Sequence, residues 1–386
     1  MSVRRVAGAL VAMELPVALR AADIIVDPAG PVRTITAALA AAKPGDRIIV
    51  HAGTYREPTI IVRTPRLVIE GQGWPVLDGE EQRSVLIVEA DGVTVRGLVL
   101  TRTGIANLED RAGLRVRNAR GCLIDHNRVI DNLFGIYIER SSDCVVRGND
   151  VSAHGESQTT SGNGIHLWYS PGATVEGNHI EGHRDGIYFE FSPHGVTRDN
   201  VSEHSQRYGL HFMFSDSCRY ESNVFRDNHS GVAVMYSRGI LIHGNRFERA
   251  VGGAAYGLLL KEILGGEISA NRFTDNSTGI YLEGSSHLAV RDNDFVQNGW
   301  AARVLADAED NHFSGNQFSG NAFDVTTNSR SANSTFENNW WDAYRGYDLN
   351  HDGVGDVPFH PVRFFALIVE QHPEALLKGK SIHKGE

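Results

Sequence analysis

The chain has 386 residues, with 37 basic against 47 acidic side chains and a formal net charge of -10. That balance excludes a general nucleic-acid binder, which needs a basic face. The 41 glycines, the frequent Asn and the scarcity of helix-forming runs point instead to many short strands joined by tight turns.

Residues 1–22 read as a secretory signal. Arg4-Arg5 precede the apolar stretch Val6 to Met13, small residues stand at Ala21-Ala22, and Glu14 and Arg20 depart from the usual pattern. No later apolar run approaches the ~20 residues of a membrane span, so the mature chain is expected to be soluble and exported. Residues 23–59 are expected to form an N-terminal cap. Thr34 to Ala42 is Ala-rich and helical, with Thr34 or Thr36 as N-cap. Lys43-Pro44-Gly45-Asp46 stops that helix, and Arg47 to Val50 reads as a strand. Such a cap keeps the apolar core and sheet edge of a terminal coil out of water.

Residues 60–338 carry a repeat. After irregular first segments, one phrase recurs: a glycine followed by alternating residues, as in Gly186-Ile187-Tyr188-Phe189-Glu190. The glycines are Gly113, Gly135, Gly164, Gly186, Gly209, Gly231, Gly257 and Gly279, spaced by 22, 29, 22, 23, 22, 26 and 22 residues. Alternation means strand, and a fixed period near 22 means a solenoid. The long steps contain insertions, His154 to Asn163 and Ala250 to Ala255. A second marker recurs at Asn127, Asn149, Asn178, Asn223, Asn245, Asn271, Asn293, Asn316 and Asn338. Stacked Asn side chains satisfy turn backbone groups that strands leave unpaired. Cys122, Cys144 and Cys218 each stand five residues before a marker Asn. They read as stacked core residues whose parallel Cβ vectors suit a disulfide poorly. The class is therefore all-β: a right-handed parallel β-helix of about ten coils of ~22 residues, a rod near 50 Å long. Residues 339–386 are expected to form an acidic-loop cap and, from Phe364 to Leu377, a segment whose apolar start suits either closing the rod or docking.

The outward columns carry the chemistry. The first reads Arg115, Tyr137, His166, Tyr188, His211, Ala233, Leu259, Tyr281, and the second Arg117, Glu139, Trp168, Glu190, Met213, Met235, Lys261, Glu283. Of the 4 methionines, Met1 and Met13 fall in the signal, so both of the remaining ones share one face beside His211. Met213 and Met235 are expected to stack about 5 Å apart. Thioethers with an imidazole form a soft set suited to Cu(I). His166, two coils and roughly 10 Å away, is a transit or rim ligand on this reading. The plain alternative is Met packed on surface Tyr or Trp. Asp348, Asn350, Asp352 and Asp356 follow a calcium-loop spacing, but Phe359 replaces the bidentate Glu at the twelfth place. The alternative there is an Asx-rich turn. Two further readings stay open: a carbohydrate-binding or carbohydrate-processing groove lined by Glu139, Glu190 and Glu283 with Tyr137, Tyr188 and Tyr281, and a purely structural rod.

The phrases Arg207-Tyr208-Gly209-Leu210-His211-Phe212-Met213-Phe214-Ser215-Asp216 and Gly231-Val232-Ala233-Val234-Met235-Tyr236-Ser237 resemble the NosD family. Asp185 to Glu190 and Asn339 through Asp356 fit it too, and the likeness spans nearly all of the chain after the signal. The resemblance implies a non-catalytic periplasmic β-helical subunit that works with an ABC transporter formed by NosF and NosY. It further implies a role in assembling the copper-sulfide centre of nitrous-oxide reductase, with copper received from the lipoprotein NosL and the apo-reductase as recipient. It would meet the membrane only through the transporter, and His211, Met213 and Met235 are the candidate copper ligands.

Overall fold

The computed structural model describes residues 21–106, 108–155, 157–328 and 333–362. The expected signal up to Arg20 and the expected docking segment from Phe364 to Leu377 lie outside those residues.

Three parallel sheets run along the molecule: sheet A with 14 strands, sheet B with 13 and sheet C with 12. Each strand pairs with the equivalent strands one coil before and one coil after, so the chain winds as a parallel β-helix. The rod is longer than the expected ten coils. Asp23–Val26, Arg47–His51 and Val68–Gln72, which precede the glycine-led repeat, already belong to sheet A. At about 4.8 Å per coil, that sheet is ~60 Å long.

Helix Ile35–Ala41 is inserted between the first two strands of sheet A. Thr34 is the N-cap, its Oγ1 accepting from the Ala37 N–H at 3.2 Å. The Glu57 carboxylate accepts from the Ile35 and Thr36 N–H groups at 2.7 and 3.0 Å, which also favours the positive end of the helix dipole. Ile35 and Ala38 form its buried face, packed on Asp23–Val26, Arg47–His51 and Ile60–Val62.

Inward side chains form apolar files. On sheet B, Phe225, Phe247, Phe273, Phe295 and Phe318 stack with ring centroids 5.6, 4.6, 4.9 and 4.8 Å apart. Each fully buried ring contributes about 1.5–3 kcal/mol by leaving water. Cys122, Cys144 and Cys218 are buried free thiols in this core.

The corner between sheets A and B is held by an unbroken Asn ladder. Asn223 shows the pattern: its N–H and its Nδ2 both donate to Asn245 Oδ1 at 2.9 Å, and Nδ2 also donates to the Thr197 carbonyl at 2.9 Å. Asn200 supplies a further rung, and the last rung is Asn339, which accepts from the Asn316 N–H at 2.9 Å. Asn338, the expected marker, instead takes a positive φ of 53° at the turn. A serine ladder of Ser170, Ser192, Ser215 and Ser237 holds the corner between sheets C and A by the same logic.

The phrase glycines are there for want of space. A Cβ on Gly164, Gly186 or Gly231 would stand 2.6, 2.6 or 2.4 Å from the carbonyl oxygen of the glycine one coil on. Only a residue without a side chain lets successive coils approach so closely.

Candidate functional site

Sheet C carries the glycine-led phrases. Along its outer face Tyr137, His166, Tyr188, His211 and Ala233 are successive Cα partners, and Glu139, Trp168, Glu190, Met213, Met235 and Lys261 form the neighbouring file. Met213 therefore lies beside Met235, and His211 precedes Met213 by two residues on the same strand, Tyr208–Met213. The intervening Phe212 and Val234 are fully buried, so alternation turns both thioethers away from the core. Both methionines are half-buried. The Tyr188 hydroxyl donates to Met213 Sδ at 3.6 Å, which fixes one thioether in place.

His211 is not on open surface; only 5% of it is exposed. The rings of Tyr188 and Tyr208 each stand 4.9 Å from the imidazole. Arg207 Nη2 lies 2.9 Å from Nδ1. A guanidinium only donates, so Nδ1 accepts and the ring proton resides on Nε2. Nε2 is itself buried without a hydrogen-bond partner. Burial lowers the His211 pKa, against the opposing pull of Asp185, so the ring is neutral at pH 7.

Asp185, fully buried, anchors this arrangement. Arg207 grips its two oxygens at 2.9 and 2.6 Å, and Oδ2 stands 3.7 Å from His211 Nδ1. Burial pushes the Asp185 carboxyl up, but His211 and Arg207 together bring it below its ordinary value. The sequence reading missed Asp185, Arg207 and Tyr188 as parts of this group. A signal was there, since Asp185 and Arg207 are opposite charges 22 residues apart, one residue short of the local repeat of 23.

His166 stands apart. The Tyr188 ring lies between it and His211, 4.8 Å from one and 4.9 Å from the other. On its far side His166 stacks on Tyr137 at 4.5 Å. Its Nδ1 accepts from Asn163 Nδ2 at 3.2 Å, an orientation set by Arg184, which donates to Asn163 Oδ1 at 3.1 Å. Nε2 is buried without a partner, and burial pushes the imidazole pKa down to about 3. The structure thus brings together His211, Met213 and Met235, and sets His166 two coils away.

Next to the methionines runs an aromatic stripe. Tyr169, Phe191, Phe214 and Tyr236 stack at 4.7, 5.0 and 5.1 Å, each following Trp168, Glu190, Met213 or Met235 in the chain. Their φ angles are 48°, 50°, 51° and 54°. Bulky residues there cost about 1–2 kcal/mol each, which stacking offsets in part.

The Asp348 loop turns its carboxylates onto its own backbone. Asp348 accepts from the N–H groups of Asp352 and Gly353 at 3.2 and 2.9 Å, Asp352 from Val354 at 2.8 Å, and Asp356 from Leu349 at 2.6 Å. Asn350 Oδ1 accepts from Asp352 N–H at 3.2 Å. These are the bonds of an Asx-rich turn.

Sheets, corner ladders and outward files define a solenoid protein that presents side chains in ordered rows on a rigid rod. Residues 150–350 match the family model described as periplasmic copper-binding protein (NosD). The chain is 30% identical over 328 residues to the "Probable ABC transporter binding protein NosD" of Stutzerimonas stutzeri, covering 80% of this chain and 72% of that one. To the protein of the same name from Pseudomonas aeruginosa it is 29% identical over 352 residues, covering 86% and 81%. The chain belongs to the NosD family, whose members are described as periplasmic. Among the described residues, no helix is long and apolar enough to cross a membrane.

Solved structures share the fold. The A-module of the mannuronan C-5 epimerase AlgE4 from Azotobacter vinelandii superposes with a TM-score of 0.54 at 18% identity, covering 79% of this chain and 89% of that one. The catalytic unit of an alpha-1,3-glucanase from Streptomyces thermodiastaticus gives 0.59 at 14% identity, covering 82% and 70%.

Proposed function

We propose that this chain is a non-catalytic carrier of Cu(I) serving assembly of the copper-sulfide centre of nitrous-oxide reductase. It would act with the transporter subunits NosF and NosY, take copper from NosL and deliver to the apo-reductase. The observation that carries this reading is the in-register pair Met213 and Met235 beside His211 on one outward face. Two thioethers and an imidazole form a donor set for a soft monovalent ion. Three donors on a flat sheet leave coordination open, as suits an ion that is received and passed on.

His211 fits the role in one further respect. Its Nε2 is buried with no partner of its own. Ligation there requires the ring proton on Nδ1, with Arg207 withdrawn and Asp185 taking up the Nδ1–H as the outer partner. His166 is a rim residue on this reading, and the Asp348 loop a self-capped turn ahead of a calcium site. A saccharide-processing groove has less support. Glu139 is engaged by Arg115 at 3.4 Å and Glu283 by Lys261 at 2.6 Å, and sugar enzymes share only the fold.

The test is Cu(I) titration of the Met213→Ala/Met235→Ala double variant against the parent chain. Loss of affinity by about 100-fold or more supports the assignment; unchanged affinity removes it. A pull-down of the apo-reductase with and without Cu(I) then tests the delivery step.

A further inference from the structure

Eight of the 17 histidines lie between His154 and His229, and one of them, His179, stands on a sheet that the methionines do not share. On the outer face of sheet B, strands His179–Glu181 and Val201–Glu203 are neighbours, with Glu181 and Glu203 as Cα partners. The donor atoms of His179, Glu181 and Glu203 all lie within 4.8 Å of one another. His179 Nε2 is 2.8 Å from Glu203 Oε1.

We propose that His179, Glu181 and Glu203 form a second metal site, for a divalent cation of borderline hardness such as Zn2+ or Cu2+. One imidazole and two carboxylates are the donors such ions take, whereas Cu(I) wants sulfur and Ca2+ an all-oxygen cage. Three protein ligands on an open sheet leave the fourth position to water, the pattern of an exchangeable site rather than a closed structural one.

Groups around the three ligands are arranged as outer partners. Asp150 Oδ1 stands 3.5 Å from His179 Nδ1, which turns Nε2 towards the carboxylates. His204 Nδ1 stands 3.2 Å from Glu181 Oε1. Arg226 holds Glu203 through Oε2 and leaves Oε1, the oxygen facing His179, for a metal. The surrounding charge favours a cation. Asp150, Glu181 and Glu203 gather here, with Arg226 paired to Glu203. Arg128, the Cα partner of Asp150, instead lays its guanidinium over the Trp74 ring at 4.1 Å.

The experiment uses the full chain carrying Met213→Ala and Met235→Ala, so that the soft site cannot contribute. Zn2+ is titrated by calorimetry, and Cu2+ is examined by electron paramagnetic resonance. The expected result is one retained site, with a Cu2+ spectrum showing a single imidazole nitrogen. His179→Ala, at an exposed position that leaves the core untouched, and Glu203→Gln should each weaken Zn2+ binding at least about tenfold, and Asp150→Asn about tenfold. His126→Ala, at an exposed histidine in the turn after the sheet A strand Leu123–Asp125, should change nothing. No Zn2+ site in the parent, or equal affinity in His179→Ala with its circular dichroism unchanged, overturns the proposal.

Discussion

Asp185 and Arg207 are joined by two hydrogen bonds, 2.9 and 2.6 Å long, across adjacent coils of sheet C, and Asp185 has no exposure to solvent. Arg207 spends a further donor on His211 Nδ1 at 2.9 Å. One guanidinium thus neutralises a buried carboxylate and sets the tautomer of the nearby imidazole.

Truncating the cation should therefore be costly. Arg207→Ala leaves the buried Asp185 with only the more distant Arg184, 3.9 Å from Oδ2, a loss of about 3–5 kcal/mol. Urea melts should show a lower midpoint, with Arg207→Lys falling between the two. A change below about 1 kcal/mol would contradict the buried-pair account.

The thioethers can be removed without disturbing the packing. Met213→Leu with Met235→Leu keeps volume and apolarity, so stability should change by less than about 1.5 kcal/mol. Cu(I) affinity should nevertheless fall by about 100-fold or more. Equal Cu(I) affinity in a normally folded leucine variant would assign the methionines to packing alone.

His183 provides an acid-sensitive element. It is fully buried, and burial outweighs the opposing pull of the Gly162 backbone and Asp131, pushing its pKa from 6.5 down to about 4. As pH falls below about 6.5 the unfolded chain takes up a proton that the folded chain refuses, so stability declines down to about pH 4 and then levels. The span is about 3 kcal/mol. Asn132, Asn228, Asn276 and Asn298 each stand three residues before the first core-facing small residue of their coils, where His183 also stands. His183→Asn should flatten the pH 4–6.5 slope in thermal melts; an unchanged slope would place the acid sensitivity elsewhere.

Coil spacing depends on the phrase glycines. Gly231→Ala would push a Cβ to 2.4 Å from the Gly257 carbonyl oxygen, and overpacking of that kind costs about 1–3 kcal/mol. Hydrogen exchange should accelerate first in Ser230–Met235 and Tyr256–Lys261, the two strands forced apart. Uniform protection across the rod would argue that the backbone absorbs the methyl group.

Much of this was legible in the sequence because the period is nearly constant. Equal laps place Met213 against Met235 whatever else is unknown, and the in-register partners followed from counting. The number of coils was not legible, since the strands from Asp23 to Gln72 have no glycine-led phrase. Asn338 and Asn339 are adjacent, and only backbone geometry decides which one turns inward to accept from Asn316. The roof over His211 was hidden because Arg207 and Tyr208 precede their own phrase glycine, outside the alternation that was counted. The sheet B cluster was overlooked for a related reason: His179, Glu181 and Glu203 belong to strands that no glycine announces.

Because every lap rises by the same increment, the molecule also acts as a ruler. Beyond Met235, sheet C continues through Tyr256–Lys261, Thr278–Glu283, Trp300–Val304 and Phe323–Thr326. At about 4.8 Å per lap, the sulfur atoms stand ~20 Å short of that end. Deleting or duplicating a single lap would shift that reach by one increment while leaving the local chemistry intact.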